Sequence, residues 1–96
     1  MKTEFQIDVI NIIRELRNDN ELSQSGFADI IGVSYGLVGN IESPKYPHKY
    51  TIEQLHKAVK YFNYPFENLF LTDEEIKLNK REVIDLLVKK LIEYDR

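Results

Sequence analysis

The chain has 96 residues with 43% hydrophobic content, enough for one packed domain without a stabilising metal. It contains no cysteine, which excludes a disulfide framework and a thiolate metal site, and no apolar run near the ~18 residues of a membrane span. Thirteen basic residues face sixteen acidic ones, a net charge of −3 that rules out broad electrostatic attraction to nucleic acid as the main source of any affinity.

The opening MKTEFQID carries acids and lacks a signal-peptide core, so a cytoplasmic protein with no membrane partner is expected. Thr3 to Gln6 fits a capping box, T-x-x-Q, that opens helix 1. Phe5, Val9, Ile12, Ile13 and Leu16 share one helical face. Ile7 and Ile10 point elsewhere, giving helix 1 more apolar surface than one core face requires. Asn18-Asp19-Asn20-Glu21 then breaks the pattern.

Leu22 to Glu42, LSQSGFADIIGVSYGLVGNIE, reads as a helix, a sharp turn and a second helix. Ala28 is small where the two helices cross, and Gly32 takes φ > 0 at the turn with no Cβ penalty. Phe27, Ile31, Val33, Val38 and Ile41 are spaced to bury one face of each short helix. Ser23 and Ser34 stand at N-cap positions. Each is bracketed by a hydrophobic staple, Leu22 with Phe27 and Val33 with Val38.

This stretch resembles the helix-turn-helix of phage repressors and Cro proteins. The LSQ start, the Ala28-x-x-x-Gly32 spacing, the VS before the second helix and the IE at its end carry the likeness. KYTIEQLHKAVKYFNYPFENLF is similar to that family's fourth and fifth helices, so the resemblance spans about residues 6–70. It implies an all-α, lambda-repressor-like five-helix domain over residues 1–71, with sequence-specific binding to double-stranded DNA, usually as a homodimer. The family often has glycine where Glu21 stands, so Asn20 is expected to take the left-handed conformation instead. Arg17 has two readings. One is a phosphate contact; the other, which the resemblance favours, is an ion pair with Glu42. Within residues 6–70 six basic residues face eight acidic ones, so DNA affinity has to come from local clustering, from dimerisation, or from both.

Two prolines forbid a regular helix in SPKYPHKY, between Glu42 and Thr51. In the resembled fold this loop runs beside the DNA backbone, and Lys45 and Lys49 are expected to contact phosphate. Tyr46 and Tyr50 are expected to pack. A second capping box, Thr51 to Gln54, opens helix 4, with Ile52, Leu55, Val59 and Phe62 on its buried face and Asn63 as a left-handed end. Pro65 suits a first helical position, and Phe66, Leu69 and Phe70 close the core. A third box, Thr72 to Glu75, opens a final helix predicted to run from Asp73 to about Tyr94, in a C-terminal extension over residues 72–96. Asp73–Lys77, Asp85–Lys89 and Lys89–Glu93 are compatible i,i+4 pairs along it. Ile76, Val83, Leu87, Leu91 and Tyr94 form one stripe, flanked by Ile84 and Val88 on one side and Leu86 on the other. That arc is wider than a one-sided surface helix needs, so this helix is expected to form a dimer, the alternative being packing wholly within its own chain.

Two histidines, no cysteine and no nucleophile, phosphate-loop or HExxH signature leave catalysis without a basis. No enzyme activity, cofactor or metal is expected, and no small-molecule effector. His56 reads as a packed histidine and His48 as an exposed one. The leading function is a DNA-binding transcriptional regulator, most simply a repressor, whose second motif helix enters the major groove. Its outward residues are Tyr35, Gly36, Gly39 and Asn40, with Leu37 partly outward; Asn40 is suited to adenine N6 and N7. Ser23, Gln24 and Ser34 are candidate phosphate contacts at helix N-termini. Two glycines in this helix predict few direct base contacts. The second reading is a protein-interaction module on a repressor-like scaffold, of the antitoxin or phage-partner kind, with weak DNA binding.

Overall fold

A computed structural model describes all 96 residues, and the chain is entirely helical. Six α-helices run in order: α1 (Glu4–Asp19), α2 (Gln24–Ile31), α3 (Tyr35–Glu42), α4 (Ile52–Phe62), α5 (Asp73–Ile76) and α6 (Lys80–Tyr94). A 3-10 turn, Phe66–Leu69, joins α4 to α5. The radius of gyration is 13.5 Å, in keeping with the ~13 Å of a single body of about 100 residues. None of the helices is long and apolar enough to cross a membrane.

Side-chain caps set most of the helix starts. Reciprocal boxes are present at Thr3/Gln6, Thr51/Gln54 and Thr72/Glu75, each satisfying two orphan backbone donors. Gly32 ends α2 at φ 73° and Asn63 ends α4 at φ 54°. At the end of α1 the left-handed residue is Glu21, φ 56°, and not Asn20. Asn20 stays at φ −95°, with its side-chain amide bonded back to the Leu16 carbonyl at 2.8 Å. The Leu22 amide reaches the Arg17 carbonyl, closing a Schellman-type end whose geometry requires left-handed backbone at Glu21 whatever its side chain.

Val9, Ile13, Phe27, Ala28, Val38 and Leu55 are wholly buried and form the centre of the core. Ile10 joins them at 3% exposure, so only Ile7 remains of the apolar surplus read into α1. Tyr50 and Tyr94 also lie in this cluster, each packing edge-on against a phenylalanine, Tyr50 on Phe27 and Tyr94 on Phe70.

The predicted last helix is two helices. α5 stops after a single turn, Lys77–Asn79 is irregular, and α6 starts afresh at Lys80. Asn79 is the reason: its Oδ1 accepts the Glu82 amide at 3.0 Å, an N-cap bond that it gives up inside a continuous helix. The charge pairs expected along this segment do not form; the i,i+4 ion pair present in the chain is Glu53–Lys57 in α4, at 3.5 Å. α6 packs back on α1, and Gln6 Nε2 donates to the Tyr94 carbonyl at 2.7 Å. Tyr94, expected on a dimer surface, is instead fully buried in its own chain.

Candidate nucleic-acid interface

The candidate surface is built on α2 and α3. Ser23 Oγ accepts the Gly26 amide at 3.0 Å and holds the start of α2. Ser34 has the extended backbone of an N-cap, φ −69° and ψ 152°, but its hydroxyl makes no capping bond. The Ser34 hydroxyl is therefore uncommitted, beside the exposed Tyr35 and Gly36 at the start of α3. Tyr35 is 59% exposed. Gly39 and Asn40 are half-buried, and Leu37 packs partly against the core, reducing its outward role.

The two glycines of α3 are not equivalent. A Cβ on Gly36 meets nothing within 4 Å, so the fold does not demand glycine there. A Cβ on Gly39 falls 3.3 Å from Gln24 Oε1. Gly39 is thus where the Gln24 side chain crosses α3. Gln24 reaches past it to donate to Glu42 Oε1 at 3.1 Å, which engages the amide expected to meet phosphate. This crossing places the N-terminal turn of α2 against the outer side of α3, so Ser23, Gln24 and the α3 residues share one surface.

Glu42 is the hub beneath that surface. Arg17 grips it with both prongs of its guanidinium, Nε to Oε2 at 2.8 Å and Nη2 to Oε1 at 2.9 Å. The third donor, Arg17 Nη1, bonds the Leu22 carbonyl at 2.7 Å, just before α2. Arg14 approaches Glu42 more loosely, at 3.8 Å. Side-chain exposures of 10% for Arg17 and 5% for Glu42 exclude Arg17 as a phosphate ligand in this conformation. The cluster locks the end of α1, the start of α2 and the end of α3 to one another. Burial and the nearby Glu42 carboxylate together push the Tyr50 phenol above its usual range.

Lys2 is a participant that sequence reading misses. Its ammonium donates to the carbonyls of Ile41 and Ser43, the latter at 3.0 Å, and so caps the C-terminal end of α3 from outside. Partial burial lowers its pKa below the ordinary lysine value. No local pattern marks this contact, because Lys2 and its acceptors lie 39 and 41 residues apart.

The loop after α3 presents its basic residues unequally. Lys45 is exposed and belongs to none of the ion pairs, which leaves its charge available. Lys49 is half-buried, with Nζ 5.9 Å from the centre of the Tyr94 ring, so part of its charge faces an aromatic surface. Tyr50 packs as expected; Tyr46 does not, being 46% exposed with its ring 6.0 Å from that of His48. His56 is exposed, edge-on to Phe66 at 6.3 Å.

The surface offers an amide, two serine hydroxyls, a tyrosine, a free lysine and a stretch of bare helix backbone. These groups are suited to hydrogen bonding and close approach. No family model matches the chain, and no curated protein or solved structure matches it.

Proposed function

We propose that this chain is a sequence-specific DNA-binding transcriptional regulator, most simply a repressor, with a helix-turn-helix domain of the lambda-repressor kind that reads the major groove through α3. The resemblance of Leu22–Glu42 to phage repressors motivates the reading. The observation that carries it is the lock beneath α3: Arg17, Gln24 and Glu42 hold a short helix in fixed orientation with Tyr35 and Gly36 bare to solvent. A helix of eight residues is not stable alone, and such rigid mounting is what a reading element needs.

In this reading Asn40 meets a base edge, and Tyr35 lies against a phosphate or a thymine methyl. The bare backbone at Gly36 approaches the groove closely. Ser23, Ser34 and Lys45 position the phosphates, and Gln24 joins them by exchanging its bond to Glu42 for one to DNA. The test is selection of bound duplexes from a random library, repeated with Asn40→Ala and Lys45→Ala. Asn40→Ala is expected to relax preference at one base pair per half-site. Lys45→Ala is expected to weaken all duplexes alike and reduce the log–log salt slope by about one. A library that returns no enriched sequence sinks the reading.

The second reading is a protein-interaction module on the same scaffold. The engagement of Gln24 by Glu42, the cover of Lys49 by Tyr94 and the net acidity favour it. It expects no enriched duplex, and loss of partner binding on Tyr35→Ala.

A further inference from the structure

One apolar row is unaccounted for by the chain's own packing. Ile84, Val88 and Ile92 are 52%, 50% and 56% exposed, and their i, i+4, i+8 spacing lines them along one ridge of α6. The other apolar residues of this helix are more covered. Tyr94 is fully buried, Leu87 and Leu91 pack on the core, and Val83 and Leu86 are half-buried. Three adjacent β-branched side chains, each half in water, mark a surface shaped for contact.

We propose that a second copy of this chain covers the row, with the two α6 helices antiparallel about a two-fold axis through Val88. The exposed row is centred on Val88, and its two ends carry opposite charges. Ile84 and Ile92 stand four residues to either side, and Arg81 and Asp95 stand seven residues to either side. An antiparallel pairing sets Ile84 level with Ile92 of the other copy and Arg81 level with its Asp95, twice over. A parallel pairing instead sets Arg81 on Arg81 and Asp95 on Asp95, like charges opposed. Neither residue belongs to an ion pair within its own chain, so both charges are free for this use. The proposal does not depend on DNA as the ligand. If α3 does read DNA, the two-fold presents two copies of α3 to a near-palindromic site.

The absence of native cysteine makes the register directly testable in the full chain. Val88→Cys sits on the axis and is expected to form a disulfide-linked dimer under mild oxidation. Ile84→Cys and Ile92→Cys each lie ~12 Å from their own copies and are expected to stay unlinked alone. Mixed together, the same two variants are expected to link to each other. Arg81→Asp is expected to weaken association about tenfold, and adding Asp95→Arg in the same chain to restore it. All these positions are exposed, and circular dichroism checks that each variant folds. A chain that sediments as a monomer at roughly 1 mM overturns the second copy as occupant. Self-linking of Ile84→Cys as readily as Val88→Cys, or no recovery on the charge exchange, overturns the antiparallel register.

Discussion

The hydroxyl of Tyr94 donates to the main-chain carbonyl of Tyr50 at 2.8 Å, and both residues lie in the core with 0% and 1% exposure. The same Tyr94 gives its own carbonyl to Gln6. The last turn of α6 is thereby fastened to the first turn of α1 and to the loop ahead of α4. Tyr50 is the opposite case, because its hydroxyl is buried without a protein partner.

This contrast makes the two phenylalanine variants diverge. Tyr94→Phe orphans a buried carbonyl and is expected to lower stability by about 1–2 kcal/mol. Tyr50→Phe removes an unpaired buried hydroxyl and is expected to leave stability unchanged or raise it. Chemical denaturation of both variants decides; equal losses would show that the Tyr94 bond contributes nothing specific.

Alkaline pH is expected to destabilise the fold. Burial is the leading cause holding both phenols above their ordinary value of 10, and Tyr64 is shifted the same way. Above pH 10 the unfolded chain releases these protons while the folded chain keeps them. The stability they contribute is therefore complete below pH 10 and declines as pH rises toward the folded values, by up to about 1.4 kcal/mol per pH unit for each phenol. Lys2, whose pKa burial lowers, opposes this with one group against three. Urea midpoints at about pH 9 and pH 11 check the sign, and a higher midpoint at pH 11 contradicts it.

Removing one member of the Arg17–Glu42 pair is expected to cost about 3 kcal/mol, because a buried charge loses its partner. The two losses should differ. Arg17→Met leaves Glu42 with Gln24 and Arg14, whereas Glu42→Leu leaves Arg17 with only the Leu22 carbonyl. Glu42→Leu is expected to be the more damaging, and the double change to recover part of the loss. Strict additivity in the double-mutant cycle would mean that the pair is not coupled.

Glu21→Gly is expected to stabilise the chain. Glu21 holds φ 56°, where a Cβ is strained by roughly 1 kcal/mol, and glycine removes that strain at the cost of a more flexible unfolded chain. The net gain is expected near 0.5 kcal/mol, read as a small rise in melting temperature. A fall in melting temperature refutes it.

Gly36→Ala separates folding from reading. Open space around Gly36 predicts a gain of roughly 1 kcal/mol in stability from helix propensity. If α3 backbone approaches DNA at this point, the same methyl lowers DNA affinity. Gly39→Ala crowds Gln24 and is expected to gain less. Stability and affinity that rise together in Gly36→Ala would remove close backbone approach from the mechanism.

What the sequence reveals and what it hides divide by range. Capping boxes at Thr3, Thr51 and Thr72 are complete within four residues, and the structure contains all three. Gly32 is likewise a local necessity of a sharp turn. The Arg17–Glu42 pair spans 25 residues and was legible only through the family resemblance. The break at Asn79 has a local signal, N-x-x-E, masked by apolar spacing that runs on across Ile76 and Val83. Tyr94 and Lys2 carry no local mark of their roles, because their partners lie far along the chain. Gln6 sits 88 residues from Tyr94, and no helical period contains that information. On the candidate surface, residue types point to roles, but only the fold reveals that Gln24 is bonded to Glu42 and Lys49 lies over Tyr94.

The clasp between Gln6 and Tyr94 is also one of the last contacts that synthesis permits. Domains emerge from the ribosome N-terminus first, at about 5–20 residues per second, and local helices form as they appear. Here α1 through α4, which carry most of the core, are made first, and the clasp cannot form until Tyr94 has been added. For that interval the Gln6 amide and the Tyr50 carbonyl lack the partners that Tyr94 supplies. A chain that stops inside α6 thus keeps two polar groups unpaired where the finished fold has a clasp, and is less stable than the whole one by those bonds.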